Sequence, residues 1–124
     1  MDCKVGTRIS RFLIDTGSAV TIVPKEFASS HITPSLLKLT AANGSTIRNY
    51  GTTVLELGIR KLRRSYTWRC LVAEVVTPII GADFLTHYGI IVDCKRSKLI
   101  DSSTNVVASA QLCLDENLCC PIRA

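Results

Sequence analysis

The stretch Phe12-Leu13-Ile14-Asp15-Thr16-Gly17-Ser18 joins an apolar β-type run to a carboxylate, which a hydroxyl, a glycine and a second hydroxyl follow. Burying an unpaired carboxylate at the end of a strand is costly, so this Asp requires an explanation. A turn is one explanation, because Asp and Gly both favour turns. The floor of a cleft is the other, since Gly17 would let a partner's backbone approach while Thr16 and Ser18 form hydrogen bonds around the carboxylate. The stretch alone leaves both open.

The composition predicts one mostly β domain. The chain has 124 residues and is rich in Val, Ile, Leu and Thr, which favour strands and suffice for a modest core. No apolar run is long enough to span a bilayer, and residues 1–11 are too polar for a signal peptide. We therefore expect an intracellular, cytoplasmic protein that makes no contact with a membrane.

The cysteines predict reduced thiols rather than disulfides or a metal site. Without a secretory signal an even number of cysteines does not imply pairing. No C-x-x-C pair occurs, and neither His31 nor His87 has metal-ligand spacing to a cysteine, so we expect no metal and no cofactor. The six cysteines are Cys3, Cys70, Cys94, Cys113, Cys119 and Cys120.

A basic run at Arg60–Arg64 contributes to the formal net charge of +5. Clustered Lys and Arg favour phosphate contacts, so a nucleic-acid-binding β domain is one interpretation. A solvated hairpin between two strands explains the run equally simply. We favour the hairpin, because only Tyr66 and Trp68 are near enough to the basic run to stack on bases. Nucleic acid is therefore not expected as a partner.

The first half of the chain predicts short strands and one hairpin. A strand over 11–15 and a second buried strand over 19–23 flank the Asp15 turn, and Pro24 ends the second and starts a short helical turn through Ala28. Asn43-Gly44 is a strong hairpin signal before a long strand over 46–58, which Gly51 breaks or bulges.

The second half predicts three strand segments, one helix and a tail. A strand over 66–76 should place alternate residues on one face, namely Trp68, Cys70, Val72 and Glu74. Ile79-Ile80-Gly81 is a brief apolar strand, and a short helix over 82–88 stops at Gly89. A hairpin over 90–100 and a last strand over 106–109 follow. The predicted domain spans residues 1–101, and residues 102–124 are a tail or linker.

In this order, an Asp-Thr-Gly-Ser strand end, a glycine hairpin and an Ile-Ile-Gly-Ala-Asp-Phe-Leu segment resemble the retropepsin-type aspartic proteases. The resemblance is greatest to the protease domain in the pol polyprotein of Ty3/gypsy-type long-terminal-repeat retrotransposons, and residues 12–24, 39–51 and 68–101 carry it. It implies an all-β retropepsin-like closed barrel or sandwich with one short C-terminal helix, active as a homodimer. It also implies an endopeptidase that processes its own polyprotein, in the cytoplasm or in a retroelement particle.

The chemistry explains why a homodimer would be needed. Two Asp side chains that share one proton supply both an acid and a base, because like charges this close cannot both ionise. The chain has one Asp-Thr-Gly, and Asp83, Asp93 and Asp101 lack its strand-to-glycine context. A second copy, related by a two-fold axis, would therefore supply the second Asp15.

The resemblance also assigns roles to individual residues. Asp15 would activate the water, Thr16 would form a hydrogen bond across the two-fold axis, and Gly17 would accept the backbone of an extended polypeptide substrate. Gly81 would pack behind the catalytic loop. Ser18 departs from the family, since retroviral members commonly have Ala there, and it would add a donor near Asp15. The flap over the peptide would comprise Ala41, Ala42, Asn43, Gly44, Ser45 and Ile47, and apolar subsites would be lined by Ile79 and Ile80, with Leu13, Val20 and Ile22 nearby.

The sequence departs from the retroviral pattern at two positions that often carry an ion pair, an acidic residue and an Arg; here these are Ala19 and Ala82. The region before Arg11 is short for the family's first strand, so we expect a dimer that is weak or concentration-dependent. Asp83 is expected to bond backbone at the start of the helix, and His87 to lie at the surface. The alternative function is a catalytically inactive retropepsin-like module for dimerisation or peptide binding.

Overall fold

The computed structural model describes residues 2–5, 8–28, 38–41, 44–59, 62, 64–109 and 122–123. These residues form twelve strands, one α-helix and one 3-10 turn, which confirms the mostly β prediction. The helix α1 is Ala82–Tyr88 and the 3-10 turn is Lys25–Phe27, both where the sequence predicted them. The strands are β1 Asp2–Val5, β2 Arg8–Arg11, β3 Leu13–Ile14, β4 Ile22–Val23, β5 Lys38–Ala41, β6 Thr46–Ile59, β7 Ser65–Ala73, β8 Ile79–Ile80, β9 Ile90–Asp93, β10 Lys98–Asp101, β11 Val106–Ser109 and β12 Ile122–Arg123.

The strands form one large sheet and one small sheet. The large sheet has the order β12-β5-β6-β7-β4-β8-β3, and the antiparallel β1–β2 hairpin joins it through β6. At one end of this order β3 runs parallel to β8, and further in β4 runs parallel to β7. The small sheet has the order β11-β10-β9. Because β11 pairs with β10 and β12 pairs with β5, strand pairing extends beyond the predicted domain boundary at residue 101.

The glycines of the predicted hairpin adopt the conformations expected of them. Gly44 has φ +87° in the connection between β5 and β6, where the pairs Thr40 with Thr46 and Leu39 with Ile47 confirm the predicted hairpin. Gly51 has φ +86° within β6, next to a register shift between Asn49 and Thr52 in the pairing with β7. The predicted bulge is therefore confirmed.

Three strands are shorter than the sequence predicted, and the first of them covers Leu13–Ile14 instead of residues 11–15. The second strand begins at Ile22 rather than at residue 19, because the Ser18 hydroxyl donates to the Val20 carbonyl at 2.7 Å and competes with ladder pairing. The strand β7 ends at Ala73 rather than at residue 76, because the Val75 amide donates to the Ala73 carbonyl at 2.9 Å. Residues 19–21 and 74–76 therefore leave the sheet instead of extending β4 and β7.

The main core lies between the large sheet, α1 and the small sheet. Of the face predicted for β7, Cys70 and Val72 are buried, as is Tyr66 on the same face, but Trp68 is only half-buried and Glu74 is exposed beyond the end of the strand. Phe84 of α1 contacts Tyr66 edge-on, with ring centroids 5.4 Å apart. Further buried members of this core are Cys3, Phe12, Val23, Leu57, Ile59, Leu62, Ile80, Leu85, Ile90, Leu99 and Ala108.

A buried carboxylate joins the small sheet to β7. Asp101 is fully buried, and it accepts hydrogen bonds from the Tyr66 hydroxyl at 2.7 Å and from the Ser103 amide at 3.0 Å. The Arg64 Nε lies 3.0 Å from Asp101 Oδ2 but forms no aligned hydrogen bond, so this contact is an ion pair. Burial raises the pKa of Asp101, but these donors and the Arg64 charge outweigh it and leave the pKa below its usual value of 3.8.

We predict that Asp101→Asn lowers the free energy of unfolding by about 1–3 kcal/mol at pH 7, because buried donors lose their charged acceptor. A carboxyl whose pKa is depressed by folding stabilises the protein above its unfolded pKa, and loses that effect as the pH falls through the folded pKa. The difference in free energy of unfolding between wild type and variant should therefore persist at pH 5 and shrink below pH 3.8. Urea unfolding across this range measures it.

Asp93→Asn is the matched control for this substitution. Its carboxylate pairs with Arg96 at 3.2 Å at the surface, where solvent screens the charges, so the loss of stability should be much smaller. Equal losses for the two variants at pH 7 would contradict the role given to Asp101.

Candidate active site

The Asp15 turn is held by the parallel pairing of β3 with β8. The Asp15 amide donates to the Ile80 carbonyl at 2.9 Å, and the Ser18 amide closes the turn by donating to the Asp15 carbonyl at 3.1 Å. The Gly17 amide donates to Asp15 Oδ1 at 2.9 Å, which orients the carboxylate. Asp15 is half-buried, whereas Thr16 and Gly17 are exposed. The turn explanation is therefore confirmed, and the half-buried carboxylate remains partly accessible.

Ser18 supports the turn from behind. It is fully buried, its hydroxyl donates to the Val20 carbonyl, and its own carbonyl accepts the Ala82 amide at 2.7 Å. The sequence suggested a donor beside Asp15, but the hydroxyl hydrogen is directed to Val20. Ser18 thus connects the turn to the start of α1.

Gly81 lies against the same turn, where a side chain has no room. A Cβ added there would lie 2.4 Å from the Val20 carbonyl oxygen and 2.8 Å from the Ser18 carbonyl oxygen. Both are backbone atoms, so no rotamer change can relieve the contact. The glycine permits the close approach of two backbone segments.

Asp83 anchors three separate elements. It accepts the Phe84 amide at 2.8 Å, which confirms the backbone bond predicted at the start of the helix. It also accepts the Thr21 hydroxyl at 2.8 Å and the Trp68 Nε1–H at 3.0 Å, and Thr21 Oγ1 in turn accepts the Gly81 amide at 3.0 Å. Sequence reasoning missed these side-chain partners, because Thr21 and Asp83 are 62 residues apart.

The predicted flap is described in part. Gly44 and Ser45 are exposed and Ile47 is half-buried. Ala41 ends β5, where its backbone pairs with that of Ile122. The predicted flap residues Ala42 and Asn43 lie outside the described residues.

A second apolar cluster lies apart from the main core and brings together four of the predicted subsite residues and the predicted flap residue Ile47. Ile22 and Ile79 are buried in it, whereas Leu13, Val20 and Ile47 are only partly buried. Ile80 instead belongs to the main core, where it is fully buried. Sequence reasoning missed three further members of this cluster, Leu71, Ala73 and Val75. The alternation along 66–76 could have identified Leu71 and Ala73, because it places them on the other face of that strand.

The described residues hold no group of three His, Cys, Asp or Glu side chains arranged to bind a metal ion. The cysteines described are free: Cys3 and Cys70 are buried and Cys94 is exposed. Burial, with the Asp83 charge as a smaller cause, raises the pKa of Cys70 to about 12, so this thiol is a poor nucleophile. In the part of the chain that is described, no helix is both long and apolar enough to cross a membrane.

Solved structures that resemble this chain include the retroviral protease-like domain of Ddi1 from Leishmania major, with a TM-score of 0.67 and 16% identity over 93% of this chain and 94% of that one. EIAV protease complexed with the inhibitor HBY-793 is similar with a TM-score of 0.55 and 17% identity, over 72% of this chain and 86% of that one. No protein-family model and no curated protein matches the sequence. The strand order, the helix behind the Asp15 turn and these likenesses together show that the chain has the retropepsin-like fold.

Proposed function

We propose that this protein is an aspartic endopeptidase whose active centre forms between two copies of the chain. The observation that carries the proposal is the accessible Asp15 carboxylate on a turn braced by β8, by the Ser18–Ala82 bond and by Gly81. A turn that needed only to reverse the chain would not require this support. Rigid placement of a carboxylate is what acid–base chemistry requires.

In the proposed reaction the two Asp15 side chains share one proton. The ionised Asp15 takes a proton from a water molecule, whose oxygen attacks the scissile carbonyl carbon, while the protonated Asp15 donates its proton to the carbonyl oxygen. The tetrahedral diol then collapses: the Asp15 that took the water proton gives it to the amine nitrogen as the C–N bond breaks, and the other Asp15 takes a proton from a hydroxyl of the diol, so the dyad again holds one proton. The Gly17 amide helps to fix the carboxylate plane through its bond to Oδ1.

The second Asp15 has to come from a second copy, because the sequence contains one Asp-Thr-Gly. Asp83 cannot replace it, since its carboxylate already accepts three hydrogen bonds behind the turn. A two-fold axis beside Thr16 would bring two identical turns together, and the exposure of Thr16 leaves it available for a bond across that axis.

The proposed substrate is an extended polypeptide with apolar side chains beside the scissile bond. The half-buried Leu13, Val20 and Ile47 offer apolar surface, and an extended peptide can pair with the strands of the flap. We further propose a cytoplasmic location and a role in processing a retroelement polyprotein, both of which rest on the sequence resemblance.

Cleavage of an apolar peptide library, with and without a statine-type transition-state mimic, tests the proposal. If the site is shared, the rate per chain should rise with protein concentration until dimers saturate, because a monomer holds half of the dyad. Analytical ultracentrifugation at the same concentrations gives the fraction of dimer. A rate per chain that stays constant in a demonstrated monomer would contradict the shared site.

A further inference from the structure

The C-terminal strand β12 pairs with the flap strand β5, far from it in sequence. The pairing is antiparallel, with Ile122 opposite Ala41 and Arg123 opposite Thr40. A pairing between residues about eighty positions apart is disfavoured by loop-closure entropy, so it does not follow from proximity in the chain. Ala41 is the residue at which β5 enters the predicted flap.

The pairing uses the edge of β5 that β6 leaves open to an added strand. A strand has two edges, and β6 already occupies one edge of β5 through the pairs Lys38 with Arg48, Leu39 with Ile47 and Thr40 with Thr46. At Thr40 and Ala41 the strand β12 occupies the other. An extended peptide can therefore add to β5 at these residues only after β12 has left.

We propose that the outer edge of β5 is a strand-accepting surface and that the chain's own Ile122–Arg123 segment competes there with the extended peptide substrate. This inference rests on the proposed function for the identity of the competitor. Main-chain hydrogen bonds supply much of the affinity when a strand adds to a sheet edge, so one edge can accept different sequences. The C-terminal segment then acts as a tethered, product-like occupant of the flap.

The competition has a measurable size. A tethered segment acts at an effective concentration of the order of millimolar, so even a weak two-residue pairing is populated. If β12 is paired in about nine chains of ten, the apparent KM is raised about tenfold, because the competent fraction is about one tenth. The value of kcat is unchanged, since the tail has left before the chemical step.

Two full-length variants test the competition. Ile122→Pro with Arg123→Pro removes both backbone N–H donors of β12, whereas Ile122→Ala with Arg123→Ala keeps them. We expect KM about tenfold lower for the proline variant, with kcat unchanged, and KM within about twofold of wild type for the alanine variant. A synthetic peptide of residues 117–124 should inhibit the proline variant competitively. Equal KM values for the two variants would overturn the inference.

Hydrogen exchange provides a readout that is independent of cleavage. Of the amides of residues 40 and 41, the one that points towards β12 should exchange at least about tenfold faster in the proline variant than in the alanine variant, because opening at that edge is no longer opposed. Faster exchange in a protein that cleaves nothing would support the strand pairing and count against the proposed protease. Cleavage with unchanged exchange and unchanged KM would overturn the pairing and leave the protease proposal standing.

Discussion

Asp15→Asn is expected to lower kcat/KM for peptide cleavage by at least about 10³-fold, because an amide can neither take a proton from water nor share one across the dyad. The fold should survive, since Asn is nearly isosteric and its side-chain oxygen can still accept the Gly17 amide that bonds Asp15 Oδ1 at 2.9 Å. Steady-state cleavage and urea unfolding of the same preparation measure the two effects. Asp93→Asn, which makes the same change away from the turn, should retain activity.

Mixing experiments make the test specific to a shared site. With a ninefold excess of the Asp15→Asn chain at fixed total concentration, random pairing leaves about one wild-type chain in ten with a wild-type partner. Activity per wild-type chain should then fall about tenfold, whereas the same excess of the Asp93→Asn chain should not reduce it. Activity per wild-type chain that is indifferent to the Asp15→Asn chain would contradict the dyad.

Gly81→Ala is expected to have the second largest effect. The added Cβ would lie 2.4 Å from the Val20 carbonyl oxygen and 2.8 Å from that of Ser18, so the start of α1 and the Asp15 turn must separate. We expect a loss of about 3 kcal/mol in the free energy of unfolding. We also expect a loss of about 100-fold in kcat/KM, because a shift of about 1 Å in a catalytic group has that order of effect.

Gly58→Ala is the control for Gly81→Ala. A Cβ at Gly58 would meet the Lys4 Cβ at 3.6 Å, an ordinary van der Waals distance, so stability and activity should change little. Thermal unfolding and cleavage assays on both variants measure the contrast. If the two substitutions prove equally mild, the backbone contact at Gly81 does not hold the turn in place.

Much of the local structure could be predicted because it depends on residues close in the chain. The helix over Ala82–Tyr88 ends at Gly89, which has φ +63°, and the bulge in β6 falls at Gly51. The apolar alternation of β7 also follows from the sequence. The strand limits were predicted less well, because the Ser18 side chain bonds nearby backbone and shortens the second strand.

The candidate site was predictable as a motif but not as an assembly. The sequence identified Asp15, Thr16, Gly17 and Gly81 as members of one constellation, and the structure brings Gly81 against the residues that follow Asp15. The sequence did not predict that Asp83 accepts hydrogen bonds from Thr21 and Trp68, or that the Ser18 hydroxyl donates to the Val20 carbonyl. Side-chain hydrogen bonds depend on atomic positions that residue type and spacing leave undetermined.

The amino-acid sequence by itself determined the turn that carries Asp15, the glycines that permit tight turns and close backbone approach, the single helix and the retropepsin-like class of fold. The turns, the glycine positions and the helix arise from backbone preferences and from side-chain periodicity over a few residues, whereas the class of fold was inferred from the resemblance of the ordered motifs to a known family. Only the tertiary structure decided that Asp101 is buried beneath Tyr66 and Arg64, that Asp83 bonds Thr21 and Trp68, and that β12 pairs with β5. These contacts join residues distant in sequence, so their free energy depends on how whole strands and the helix pack rather than on any local preference.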